Sequence, residues 1–150
     1  MKLFKYTFCI FFCTGFFLHS AEYSLDNILI KNPTIPFFGE NMKTAAGYFT
    51  IINSGKVSDK LTNVKANFAV AMIHKSSVDS NGVARMEHLE NVIIPANSSI
   101  KFEQGGLHIM LLNLKETLVH METKKITLIF KKSGKVNLNF LVKKATESSK

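Results

Sequence analysis

Past residue 20, apolar residues never recur at i, i+3, i+4 and i+7 over a helical length. They come in short runs rich in β-branched and aromatic residues, with turn residues between them about every ten positions. That pattern predicts strands. The candidates are 23–30 (YSLDNILI), 47–52 (GYFTII), 60–65, 68–74 (FAVAMIH), 83–89, 93–95, 99–103, 107–113, 126–131 and 136–142. In the last of these, VNLNFLV, apolar and polar residues alternate, the period-2 mark of a sheet with one wet face. Asn53-Ser54-Gly55 and Asn81-Gly82 read as turns, and 32–39, with Pro33, Pro36 and Gly39, reads as a connection unfit for a helix or a central strand. No repeat and no linker divides the chain. The expectation is one all-β domain over 21–143, a sandwich or barrel, with 144–150 (KATESSK) as a disordered tail.

Residues 1–20 have a different composition. Lys2 and Lys5 precede an almost unbroken apolar stretch over 7–18, and Ser20 and Ala21 supply the small residues a signal peptidase requires. Such a stretch falls short of the ~20 apolar residues that span a bilayer. The expectation is a signal peptide over 1–20, cleaved near Ser20–Ala21, export to the periplasm, and no stable membrane insertion afterwards.

Cleavage also decides what chemistry remains. Cys9 and Cys13 are the only 2 cysteines, so the exported chain has no thiol for a disulfide, a Cys-ligated zinc site or a blue-copper centre. The remaining ~130 residues are long enough to form a core without a staple. Removing Lys2 and Lys5 leaves 17 Lys+Arg against 11 Asp+Glu, a net charge of +6. That balance suits acidic surfaces or an acidic acceptor. Nucleic acid is not expected, because basic clusters interleaved with aromatics are absent. No G-x-S-x-G elbow, phosphate loop, H-E-x-x-H or C-x-x-C occurs. The carboxylates Asp59, Asp79, Glu87, Glu90, Glu103, Glu116 and Glu122 are scattered and read as a solvated face. The chain is not expected to be an enzyme.

Methionine and histidine stand out. The series His74, Met86, His108, Met110 uses four of the exported chain's nine Met and His residues. His108 and Met110 lie two apart in a strand-like run, so they project from one face. Gly105-Gly106 before them can bend the chain and admit another backbone. Neutral, soft thioethers select Cu(I), and imidazole suits copper in both oxidation states. A His₂Met₂ set offers no charge and no hard oxygen for calcium, magnesium or manganese, and zinc would recruit thiolate, carboxylate or a third imidazole. Thioethers also cannot close into a disulfide outside the cytoplasm, though they can be oxidised to sulfoxides. Taken singly, each of these residues reads as well as a packing or surface side chain. Met72 and His88, each two residues from a member of the series, lie where they can approach the same metal but read first as core or surface. His120, Met121 and Met42 read as uncommitted.

The spacing joins the four. His74, eleven residues, Met86, twenty-one residues, His108, one residue, Met110 resembles the H(M)x10Mx21HxM signature of PCuAC-type periplasmic copper chaperones. Lys75 stands at the optional methionine. The segments 45–55 (AAGYFTIINSG), 81–86 (NGVARM), 104–114 (QGGLHIMLLNL) and 126–130 (ITLIF) are also similar to this family. The resemblance implies a cupredoxin-like Greek-key β-sandwich or barrel and one copper near the surface, held as Cu(I) by His74, Met86, His108 and Met110. It further implies delivery to the binuclear copper site of cytochrome c oxidase, with that copper-site subunit or a Sco-type protein as partner. Phe49, where methionine is frequent, and a tail without histidine or methionine depart from the pattern. The sequence is also compatible with a periplasmic copper-sequestering or resistance protein and with a β-sandwich interaction module without metal.

One geometric expectation follows from the turn. A strict two-residue hairpin at Asn81-Gly82 would set Met86 opposite Ser77 and turn it away from the face of His74. Shared coordination thus requires a longer loop or a bulge, and an irregular connection over 75–85 is expected rather than a tight ladder.

Overall fold

The computed structural model describes residues 21–145. The signal-peptide expectation over 1–20 and the last residues of the expected tail, 146–150, lie outside them. Eleven strands follow one another with no helix among the described residues: β1 (Glu22–Leu25), β2 (Ile28–Phe37), β3 (Ala45–Asn53), β4 (Asp59–Ala66), β5 (Val70–Val78), β6 (Ala84–Leu89), β7 (Val92–Ile94), β8 (Ser98–Phe102), β9 (Leu107–Leu112), β10 (Thr123–Phe130) and β11 (Gly134–Lys144). The all-β expectation holds. No helix among these residues is long and apolar enough to cross a membrane.

The strands form one hydrogen-bonded path, β6-β5-β9-β8-β3-β2-β11-β10-β4-β7, with β1 paired to β2 and β9 paired also to β3. Because β4 comes back against β5, the path curls into a nearly closed barrel with its seam between those two strands. Most neighbours are antiparallel; β2–β11 and β8–β9 are parallel.

Alternation drives the curl. In β3 every second residue, Ala45, Gly47, Phe49, Ile51 and Asn53, is buried, while Ala46, Tyr48, Thr50 and Ile52 are only partly covered. The inward set meets Ile30, Leu61, Ile73, Ile109, Leu128 and Phe140 in one core. Each such large apolar side chain contributes about 1.5–3 kcal/mol by leaving water. Phe49 stacks on Phe102 at 4.3 Å between centroids and meets Phe140 edge-on at 5.6 Å. Gly47 gives Phe140 its place, since a Cβ there would lie 3.1 Å from the phenylalanine ring.

Three expectations need correction. The run 23–30 is a hairpin, β1 and β2 joined at Asp26-Asn27, with Asp26 left-handed at φ 51°. The segment 32–39 is no mere connection, because β2 continues through it to Phe37. A register shift between Lys31 and Thr34, with Asn32 at φ 54°, forms a bulge that absorbs Pro33. The ladder to β3 ends at Thr34, so the missing N–H of Pro36 costs no bond on that side. Asp59 belongs to no solvated face; it is 5% exposed. Its carboxylate accepts hydrogen bonds from the backbone N–H groups of Lys60, Lys132 and Ser133 and from the Ser133 hydroxyl, fastening the β10–β11 turn to the start of β4. Strand β11 runs to Lys144, which pairs with Phe37.

Candidate metal centre

Three strands carry the candidate residues. Strand β5 lies between β6 and β9, and the registers put His74 opposite His88 on one side and opposite His108 on the other. Met72 faces Met110, and Ser76 faces Met86. Residues facing each other across a ladder share a face, as do residues two apart along a strand. His74, Met86, His108 and Met110 therefore all project from the outer face of the β6-β5-β9 ribbon, while Ile73, Ile109 and Leu111 point into the core.

The hairpin that sets this register is longer than two residues but not irregular. Asp79 N–H donates to Val83 C=O at 3.0 Å, closing a three-residue loop whose Gly82 is left-handed at φ 78°. The Asp79 carboxylate accepts from the N–H groups of Asn81 and Val83 and pairs with Arg85. The ladder then runs unbroken from Val78–Ala84 to Ile73–Leu89. The need for a longer loop was legible in the sequence; the expected irregularity over 75–85 is absent. One extra loop residue suffices to bring Met86 to the face of His74.

Gly105 and Gly106 act at the other ladder. With Gly105 at φ 76°, they turn β8 into β9, and the Gly106 carbonyl accepts from Ser76 N–H at 3.0 Å. The same carbonyl lies 3.1 Å from Nδ1 of His108. Nδ1–H donating there fixes the tautomer that leaves the Nε2 lone pair free. His108 is only 5% exposed although it faces outward. It lines an open cleft of about 340 Å³ together with Met86, Met110, Met42, Tyr48 and Phe38. Burial raises the Tyr48 phenol above its ordinary range, so it stands in that wall as a neutral hydroxyl. Nothing local in the sequence marks Phe38 and Met42, in the 38–44 connection, as part of this wall.

His74 is the centre of the group. Its ring lies 6.0 Å from that of His108 and 5.4 Å from that of His88, centroid to centroid. Both of its ring nitrogens are buried, and neither has a hydrogen-bond partner among the described residues. Burial first, then the His108 and His88 imidazoles, hold its pKa below the ordinary imidazole value, so the ring stays neutral. Met86 is 56% exposed at the rim. No three His, Cys, Asp or Glu side chains stand together as a metal cluster among the described residues. The assembled donors are two imidazoles and two thioethers, neutral and soft, a set that fits a monovalent soft cation and offers nothing to a hard dication. His120, beside Phe37, and Met121, 63% exposed, lie in the β9–β10 connection and do not line this cleft.

Comparisons with known proteins agree with this architecture. A family model described as "Putative lipoprotein LpqE-like" matches residues 24–142. The chain is similar to the copper-bound PCuAC domain from PmoF2, with 22% identity, a TM-score of 0.70, and coverage of 83% of this chain and 99% of that one. It is similar to the apo PCuAC domain from PmoF1 at 25% identity and TM-score 0.70, covering 83% and 100%. The Cu(I) form of DR1885 from Deinococcus radiodurans gives 28% identity and TM-score 0.63, covering 77% and 78%. No curated protein matches. The chain belongs to the LpqE-like family and carries the cupredoxin-like β fold of the PCuAC domains.

Proposed function

We propose that this chain is an exported copper carrier, not an enzyme, which holds one Cu(I) with His74, Met86, His108 and Met110 and passes it to an acceptor by ligand exchange. The observation that carries this reading is His74. A buried polar group without a partner costs about 1–3 kcal/mol, so folded chains rarely keep one unless a ligand completes it. Here the unpartnered imidazole adjoins a second whose free nitrogen is fixed by its tautomer, and two thioethers share their face. Two of the similar solved structures are described as copper-bound and Cu(I) forms, which supports the same cargo. The family description as a lipoprotein and the leader over 1–20 support export, with the periplasm as destination.

Thioether and imidazole are ligands from which a thiolate-bearing acceptor can draw Cu(I). The exposed Met86 offers such an acceptor a first point of exchange. The binuclear copper site of cytochrome c oxidase, reached directly or through a Sco-type protein, is the acceptor we favour. Met110→Leu keeps shape and burial and removes only the sulfur. It should lower Cu(I) affinity at least tenfold with the thermal midpoint little changed; an unchanged affinity would remove the carrier reading. Loss of oxidase copper on deleting the gene tests the acceptor, and a fully loaded oxidase in that strain would leave sequestration as the role.

A further inference from the structure

His74 has two cross-strand imidazole neighbours, and the four-residue set uses only one. The other, His88, is exposed on β6 and directly opposite His74. The two ladders are not equivalent. Asp79 N–H bonds toward β6 and Ser76 N–H toward β9, so alternation makes His74–His88 a non-hydrogen-bonded pair and His74–His108 a hydrogen-bonded one. Side chains of a non-hydrogen-bonded pair stand closer, consistent with 5.4 Å between the first two rings against 6.0 Å for the second. His88 also lines a separate cleft of about 320 Å³ at the barrel seam, with Met72, Thr62, Asn63 and Glu90. None of His74, Met86, His108 and Met110 lines this cleft, so His88 is the one imidazole on it and reaches His74 across the ladder.

We propose that His74 and His88 form a second copper station, a two-imidazole chelate for Cu(II), which shares His74 with the Cu(I) set. The proposal deepens the carrier reading and rests on it for the identity of the metal. Imidazole nitrogen and water suit Cu(II), whereas neutral thioethers do not. Ring centroids 5.4 Å apart on adjacent strands put the two imidazoles within reach of one ion, and the exposure of His88 leaves room for water to complete the shell. The Glu90 carboxylate at the cleft rim adds negative charge near a dication. Because His74 is common to both stations, they are alternatives: an ion bound with His88 occupies the nitrogen that the Cu(I) set needs. A single imidazole thus serves copper in either oxidation state, with the second ligand chosen by softness.

The test is a titration of the purified protein with Cu(II) chloride, followed by electron paramagnetic resonance, and separately with Cu(I) under reductant. The variants are His88→Gln and Met110→Leu. His88 is exposed, so its replacement should leave the circular dichroism unchanged. His88→Gln should weaken Cu(II) binding at least tenfold and reduce the number of coupled nitrogens from two to one, with Cu(I) affinity within twofold of the unmodified protein. Met110→Leu should show the reverse, weak Cu(I) and unaltered Cu(II). Cu(II) affinity and nitrogen coupling that survive His88→Gln overturn the second station. Failure of the carrier reading is read separately, as Cu(I) affinity unaffected by Met110→Leu.

Discussion

His74 carries a cost, for both of its ring nitrogens are covered and neither has a partner among the described residues. Replacing it with leucine removes the unsatisfied groups and keeps the volume. His74→Leu should therefore raise resistance to urea by about 1–2 kcal/mol in the absence of metal while abolishing Cu(I) binding; a variant less stable than the parent would mean that the imidazole has a structural partner. The pH dependence has a definite sign. The folded-state pKa lies below 6.5, so on acidification the unfolded chain takes up the proton first. Stability then falls as pH drops from the unfolded value through the folded one. His74→Leu should flatten this part of the curve, as urea midpoints between pH 7.5 and 5 will reveal. At this scale the sequence was informative because strand parity is simple: His108 and Met110 share a face by position alone. Asp59 is the opposite case. Its partners Lys132 and Ser133 lie more than seventy residues away, and nothing local marks a carboxylate that distant amides will surround.

Two short connections do most of the positioning among the elements. The left-handed Gly82 closes the loop that sets the register of β6, and with it the face on which Met86 and His88 appear. Gly82→Val forces a β-branched residue into that conformation and should cost about 1–2 kcal/mol, seen as a lower thermal midpoint. Cu(I) affinity should fall with it if the register slips. Asp59 joins β4 to the β10–β11 turn. Burial by itself would raise its pKa, but the hydrogen bonds from Ser133, Lys60 and Lys132 outweigh burial and hold the carboxyl below 3.8. Its contribution is thus complete above the unfolded-state value and lost as pH falls through the lower folded one. Asp59→Asn should destabilise the protein by about 2–3 kcal/mol at neutral pH and by much less near pH 2, measured by chemical denaturation. The strand runs were legible as runs, but their joins were not. The Asp26-Asn27 turn sits inside what reads as one apolar stretch, and β2 passes Pro33 through a bulge that depends on pairing with β3.

At the level of the whole molecule, the barrel gives the candidate centre its two properties, enclosure and access. The ribbon β6-β5-β9 ends at β6, and the 38–44 connection contributes Phe38, Met42 and Thr44 to the cleft in which His108 is buried and Met86 stands at the rim. The all-β class followed from the missing helical period, whereas the strand order, with β9 paired to β3, β5 and β8, is a long-range property no local pattern records. The most direct test of the central claim is X-ray absorption at the copper edge on the Cu(I)-loaded protein. Two sulfur and two nitrogen scatterers, with one sulfur lost in Met110→Leu, is the predicted result. A shell of nitrogen and oxygen alone, unchanged by that substitution, would contradict the account.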